Sequence, residues 1–66
     1  MVNIELIEKT RLQHGYSKEQ MSGFLGYEAK ATYTRKSNGM RQFTIEDIVA
    51  ICKLFQLELN DLIIMN

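Results

Sequence analysis

Two stretches decide the fold: Gly15-Tyr16-Ser17-Lys18-Glu19-Gln20-Met21-Ser22-Gly23-Phe24-Leu25-Gly26, and soon after it Thr32-Tyr33-Thr34-Arg35-Lys36-Ser37-Asn38-Gly39. Ser17 with Gln20 three residues later is the capping-box pattern. The hydroxyl accepts from the third helical amide, and the Gln side chain returns to the cap's own amide. Met21, Phe24 and Leu25 supply an apolar stripe at helical spacing, and Gly26 ends it, which predicts a second helix over about 18–25. A third helix is predicted over about 29–37, closed by Asn38-Gly39, two residues that tolerate positive φ. Two short helices joined by a Gly-containing turn and followed by an Asn-Gly stop are thus expected in this stretch.

Working outward, Asn3 is a plausible N-cap and Gly15 a stop for a first helix from about Ile4 to Gln13. Ile4, Ile7 and Arg11 share one of its faces. Thr44 opens a fourth helix with Asp47 at the third helical position. There Ile45, Ile48, Val49, Cys52 and Phe55 follow the i, i+3, i+4, i+7 rule, and Ile51 widens the stripe. Leu57 to Ile64 predicts a last short helix with Asn60 and Asp61 facing water. Two-residue alternation is absent over any useful length, so no strands are expected. No proline, low-complexity tract or repeat marks a linker. Residues 1–66 therefore read as one all-α domain, a compact bundle of about five short helices. A chain of 66 residues buries only about 60% of its unfolded surface, so its core must be well patterned, and Ile48 and Phe55 are expected at its centre.

Composition excludes several classes. With 45% apolar and 24% charged residues the chain is of ordinary globular type. No apolar run approaches the roughly 20 residues of a membrane span. Glu5 and Glu8 interrupt the first ten residues, which is unlike a secretory signal. One cysteine, Cys52, and one histidine, His14, supply neither an internal disulfide nor a zinc site of the usual composition. A cytoplasmic domain is expected. Cys52 reads as a buried inert thiol and His14 as a surface side chain at the end of the first helix. Ser17, Ser22, Thr34 and Ser37 have no His/Asp constellation, and the glycines match neither a phosphate loop nor a dinucleotide fingerprint. No catalytic residue, cofactor or metal is expected, and the chain does not read as an enzyme.

Eight basic and eight acidic side chains give zero net charge, but they are unevenly placed. From Ala29 to Ile45 the charged residues are Lys30, Arg35, Lys36 and Arg41, with no acid. From Glu46 to Asn66, Glu46, Asp47, Glu58 and Asp61 oppose Lys53 alone. A cationic face of this kind can hold phosphates even on a neutral chain.

The segment Gly15-Tyr16-Ser17-Lys18-Glu19-Gln20-Met21-Ser22 resembles the G-L-S-Q-E-E-L-A opening of the Cro/CI (lambda-repressor-like) helix-turn-helix family. Leu25-Gly26 is similar to its turn, and Thr32 to Gly39 to the end of its recognition helix and the N-G that follows. Phe43-Thr44-Ile45-Glu46-Asp47-Ile48 and Leu57-Glu58-Leu59-Asn60-Asp61-Leu62 are similar to its last two helices. The Tyr33-x-Arg35-Lys36 and Arg41-x-Phe43-Thr44 pieces look like those of short repressor-like proteins of phages and prophages of Gram-positive bacteria. The resemblance spans about Ile4 to Leu62. It implies a lambda-repressor-like DNA-binding domain and a sequence-specific transcriptional regulator whose partner is a double-stranded DNA operator, with the third helix in the major groove and the second across the backbone.

By the same resemblance, the base-contacting residues are Ala29, Lys30, Ala31, Thr34 and Arg35. Arg35 suits a bidentate contact to a guanine edge, the two alanines can only touch thymine methyls, and Lys30 suits either guanine or phosphate. Lys18, Lys36, Asn38, Arg41, Gln42 and Thr44 are the implied backbone contacts. Tyr33 falls where the family buries an apolar residue. Two features depart from the pattern. One residue more than usual separates Gly26 from Gly39, leaving two registers for the base-facing positions. Ser37 stands where the family often has a Glu paired with the helix 1 Arg, so Arg11 is left to reach phosphate or a backbone carbonyl.

A rival class is a protein-interaction module, such as an antitoxin or antirepressor subunit on the same fold. The two alanines and the zero net charge favour it. A structured-RNA binder would want exposed aromatics that have no obvious place here. The end of the chain, Leu62-Ile63-Ile64-Met65, is more apolar than a terminus needs. Leu59, Ile63, Ile64 and Met65 are accordingly expected to form a weak isologous homodimer contact, setting two recognition helices about 34 Å apart.

Overall fold

Five helices organise the chain: α1 (Ile4–His14), α2 (Lys18–Phe24), α3 (Thr32–Ser37), α4 (Ile45–Phe55) and α5 (Leu59–Leu62). The structure, a computed structural model, describes residues 1–64. The protein is all-α, and the local chemistry at each helix end explains its bounds. Asn3 Oδ1 accepts the Leu6 amide at 3.1 Å to start α1. Gly15 stops it in the left-handed region at φ 73°, where a side chain would be strained. The Ser17 capping box is complete: the Gln20 amide donates to Ser17 Oγ at 3.0 Å, and the Ser17 amide donates to Gln20 Oε1 at 2.8 Å. Thr44 and Asp47 repeat the motif on α4 at 3.1 and 2.8 Å.

Four helices differ in their bounds from the sequence reading. α1 runs one residue further, through His14, and α2 ends at Phe24, with Leu25 as its C-cap. α3 starts at Thr32 rather than near residue 29, so Ala29, Lys30 and Ala31 lie in the turn before it. The Ser22 hydroxyl ties that turn to α2, donating to the Lys30 carbonyl and accepting the Tyr33 amide. α5 is confined to Leu59–Leu62, and Ile63 is extended, at φ −108° and ψ 119°. Ile63 faces Val2 in an isolated antiparallel bridge, flanked by Asn3 N–H to Leu62 O and Ile64 N–H to Met1 O, each 2.7 Å. That bridge is the one β feature among the described residues.

The core takes side chains from every helix and one from the loop before α4: Ile7, Met21, Tyr33, Phe43, Ile48, Ile51, Phe55 and Leu62. Ile48 and Phe55 are buried as the periodicity predicts. Ile45 and Val49 are not, at 74% and 42% exposed, because the inward arc of α4 is centred on Ile48, Ile51 and Phe55. Cys52 is half-buried, and burial, with Asp61 nearby, pushes its thiol pKa up. No helix among the described residues is long and apolar enough to cross a membrane.

Candidate functional site

α3 has six residues, far fewer than the roughly 12–15 an isolated helix needs to persist in water. Its position is therefore set by tertiary ties, and three neighbouring helices each provide a polar one. From α2, Ser22 Oγ accepts the Tyr33 amide at 3.2 Å and donates to Lys30 O at 2.8 Å. From α1, Glu8 Oε2 accepts the Tyr33 phenol at 2.6 Å. Glu8 is itself gripped by Arg11, whose Nε and Nη2 donate to its two oxygens at 2.8 and 3.1 Å. Arg11 Nη1 finishes on the Tyr16 carbonyl at 2.7 Å. From α4, Asp47 Oδ2 takes the Lys36 ammonium, both side chains being under a tenth exposed.

The electrostatics follow from these partners. Burial alone would raise the Asp47 carboxyl, but the Lys36 ammonium and the Thr44 amide overcome it and hold it below its ordinary value. Glu8 is likewise lowered, burial being outweighed by Arg11 and Tyr33. Tyr33 is pushed up by burial and by the Glu8 carboxylate. The Lys36 ammonium also sits 4.5 Å from the Tyr27 ring centroid, within cation–π range. The Tyr27 hydroxyl is buried beside Asp47 without an ordinary hydrogen bond to any described residue.

Around this anchored helix, Lys18, Arg35, Asn38, Arg41, Gln42 and Thr44 are exposed, and Thr34 is half-buried. Ala29, Lys30 and Ala31 are exposed in the preceding turn, where Lys30 Nζ lies 3.1 Å from Glu19 Oε1. Both members of that pair are largely in water, so the contact is weak. Arg35 and Arg41 are linked through the backbone: Arg35 O accepts the amides of Met40 and Arg41 at 2.9 and 3.2 Å, folding the loop back on α3. A cleft of about 420 Å³ is lined by Arg41, Gln42 and Phe43 of that loop and by Met1, Val2 and Ile4 of the N-terminal segment.

One expected contact is overturned by position. Lys36 is not on the outer surface of α3 but in the interior, because it follows Tyr33 by three residues and so shares its inward face. The Thr44 hydroxyl is engaged as the α4 cap. Arg11 takes the backbone-carbonyl alternative, together with Glu8. The Glu8–Arg11 spacing of three could have signalled that pair, whereas nothing local signals Ser22 as an inter-helix bridge or Asp47 as a partner for Lys36. At the C-terminal end, Leu59 and Ile64 are exposed and Ile63 is half-buried. Met65 lies outside the described residues.

Among the described residues no group of three His, Cys, Asp or Glu side chains is placed to hold a metal ion. No known protein family, curated protein or solved structure matches the chain.

Proposed function

We propose that the chain is a sequence-specific DNA-binding transcriptional regulator of the phage Cro/repressor type, α3 entering the major groove and α2 lying across the backbone. The observation that carries this reading is the outward surface of α3. Arg35 is exposed on α3, as are Lys18 at the start of α2 and Arg41 and Gln42 in the loop that folds back on α3, while the two acids that bond α3 side chains, Glu8 and Asp47, are paired with Arg11 and Lys36. On this reading Arg35 and Thr34 face base edges, with Ala29, Lys30 and Ala31 at the approach to the groove. Lys18, Asn38, Arg41, Gln42 and Thr44 meet phosphates through their side chains. Two copies joined through Leu59, Ile63 and Ile64 would read two half-sites. Selection from a random duplex library, followed by competition between the enriched and a scrambled duplex over a range of salt, tests the proposal. It expects a preferred sequence and a linear fall of log affinity with log salt.

A second reading, a protein-interaction module such as an antitoxin or antirepressor subunit, is favoured by the exposure of Leu12, Phe24 and Ile45 at 65%, 49% and 74%. Absence of any duplex binding at low salt would bring it forward.

A further inference from the structure

The buried Lys36–Asp47 pair lies where the surface pattern promises a phosphate ligand, and its wiring points to a different task. One atom, Asp47 Oδ2, receives both the Lys36 ammonium from the last turn of α3 and the Thr44 amide from the start of α4. The loop carrying Asn38, Arg41 and Gln42 runs between those two donors, so both its ends are pinned to a single oxygen. Its first half is further tied by the Met40 and Arg41 amides on Arg35 O. The ring of Tyr27 closes over the ammonium, leaving Lys36 6% exposed.

We infer that Lys36 and Asp47 are positioning residues for duplex recognition: a latch that fixes the α3 face bearing Arg35 and the loop bearing Arg41 relative to each other. The inference rests on the DNA-binding reading for its consequence, but not for its geometry. A buried ion pair is a poor source of net stability, since desolvation offsets most of its attraction. What it can do is admit one arrangement of the two elements, because any other leaves a charge buried without its partner. Base-edge contact requires Arg35 to be held in place, whereas phosphate attraction tolerates looseness. The latch therefore supports discrimination between sequences and leaves general affinity for DNA alone.

The test uses the full chain and the double variant Lys36→Met/Asp47→Asn. The amide can still accept from Thr44, and no charge is left buried alone, so the variant keeps its fold. Two readouts are taken. Amide hydrogen exchange is expected to quicken over Thr34 to Gln42 and to stay at parent values in α1. On an enriched and a scrambled duplex, the affinity ratio is expected to fall at least about fivefold, as for the loss of one good base contact. The salt slope on scrambled duplex should stay at the parent value. A slope lower by about one unit would mean that Lys36 reaches phosphate, and would overturn the latch. Unchanged exchange over Thr34 to Gln42 would overturn it equally. If the parent binds no duplex, the DNA-binding reading fails, and the exchange measurement still decides whether the latch exists.

Discussion

The hydroxyl of Ser22, 2% exposed on α2, accepts the amide N–H of Tyr33 at 3.2 Å and donates a hydrogen bond to the Lys30 carbonyl at 2.8 Å. It thereby serves as the N-terminal bridge of α3, a role usually held by a capping side chain within the same segment; Ala31 at the cap position has none. Ser22→Ala would leave the buried Tyr33 amide and the part-buried Lys30 carbonyl without that partner, at about 1–3 kcal/mol. Urea unfolding is expected to register a loss in that range with an unchanged m-value. A loss under about 0.3 kcal/mol would mean that water replaces the hydroxyl at no cost.

The core prediction is steeper. Phe55 and Ile48 are 7% and 4% exposed. Phe55→Ala should cost about 3–5 kcal/mol and Ile48→Ala about 2–5, set against roughly 5 kcal/mol or less of total stability for so small a domain. Circular dichroism of Phe55→Ala should therefore show a largely unfolded chain at 37 °C. A melting temperature within two or three degrees of the parent would remove Phe55 from the core.

These two residues also mark how far the sequence could be read. Phe55 and Ile48 were legible because helical periodicity is a local signal, and so were the Ser17–Gln20 and Thr44–Asp47 capping boxes, each contained in four residues. Ser22 was not, because a small hydroxyl eleven residues from Tyr33 looks like any exposed serine until two helices are brought together. Lys36 misled for the reverse reason. Charge patterning counts it with Lys30, Arg35 and Arg41, while its spacing from Tyr33 turns it inward. Val2 and Ile63 meet only because the two ends of the chain converge, which no window of sequence contains. The exposed Arg35, Arg41 and Lys18 were visible from composition and order; the start of the helix that positions Arg35 was not.

Acid should unfold the protein through two carboxyls. Glu8 and Asp47 are both held below their ordinary values of 4.5 and 3.8 in the fold. The unfolded chain therefore binds more protons in that range, and stability rises with pH there. Their contribution is present in full above about pH 5.5 and is lost as pH falls through 4.5 and 3.8 towards the folded values. Thermal melts from pH 7 to pH 2.5 should show the steepest decline below about pH 4.5. In Lys36→Met/Asp47→Asn the decline should be shallower, since only Glu8 remains of the two. An identical pH profile for parent and variant would exclude Asp47 as a source of the acid sensitivity.

The assembly prediction concerns Leu59 and Ile64, which are 54% and 38% exposed near the meeting point of the chain ends. A two-fold contact through them would be lost on Leu59→Glu, because a carboxylate would be placed against its symmetry mate. Sedimentation of the parent at high micromolar concentration should give a dimer fraction that the variant lacks, with unchanged helical content. A parent that remains monomeric with and without duplex DNA would leave Leu59 as an ordinary exposed side chain.

The functional prediction separates kinds of energy on the outer surface of α3. Arg35 is the exposed cation on the helix itself, and its fork can meet the two acceptors of a guanine edge. Arg35→Ala should therefore cost about 1–3 kcal/mol on the preferred duplex and relax the preference at one base pair. Lys18, at the start of α2, and Arg41, in the loop after α3, are exposed cations outside the helix. Lys18→Ala or Arg41→Ala should weaken preferred and scrambled duplexes alike and lower the salt slope by about one unit. Lys30, in the turn and 3.1 Å from Glu19, has to leave that weak pair to contact either base or phosphate. Glu19→Gln should accordingly raise affinity modestly if Lys30 takes part and leave it unchanged if it does not. A salt-titrated series on both duplexes with these four variants measures all of it. If Arg35→Ala left affinity and preference untouched, α3 would not be the element that reads sequence, and the exposed Leu12, Phe24 and Ile45 would become the surface to test against protein partners.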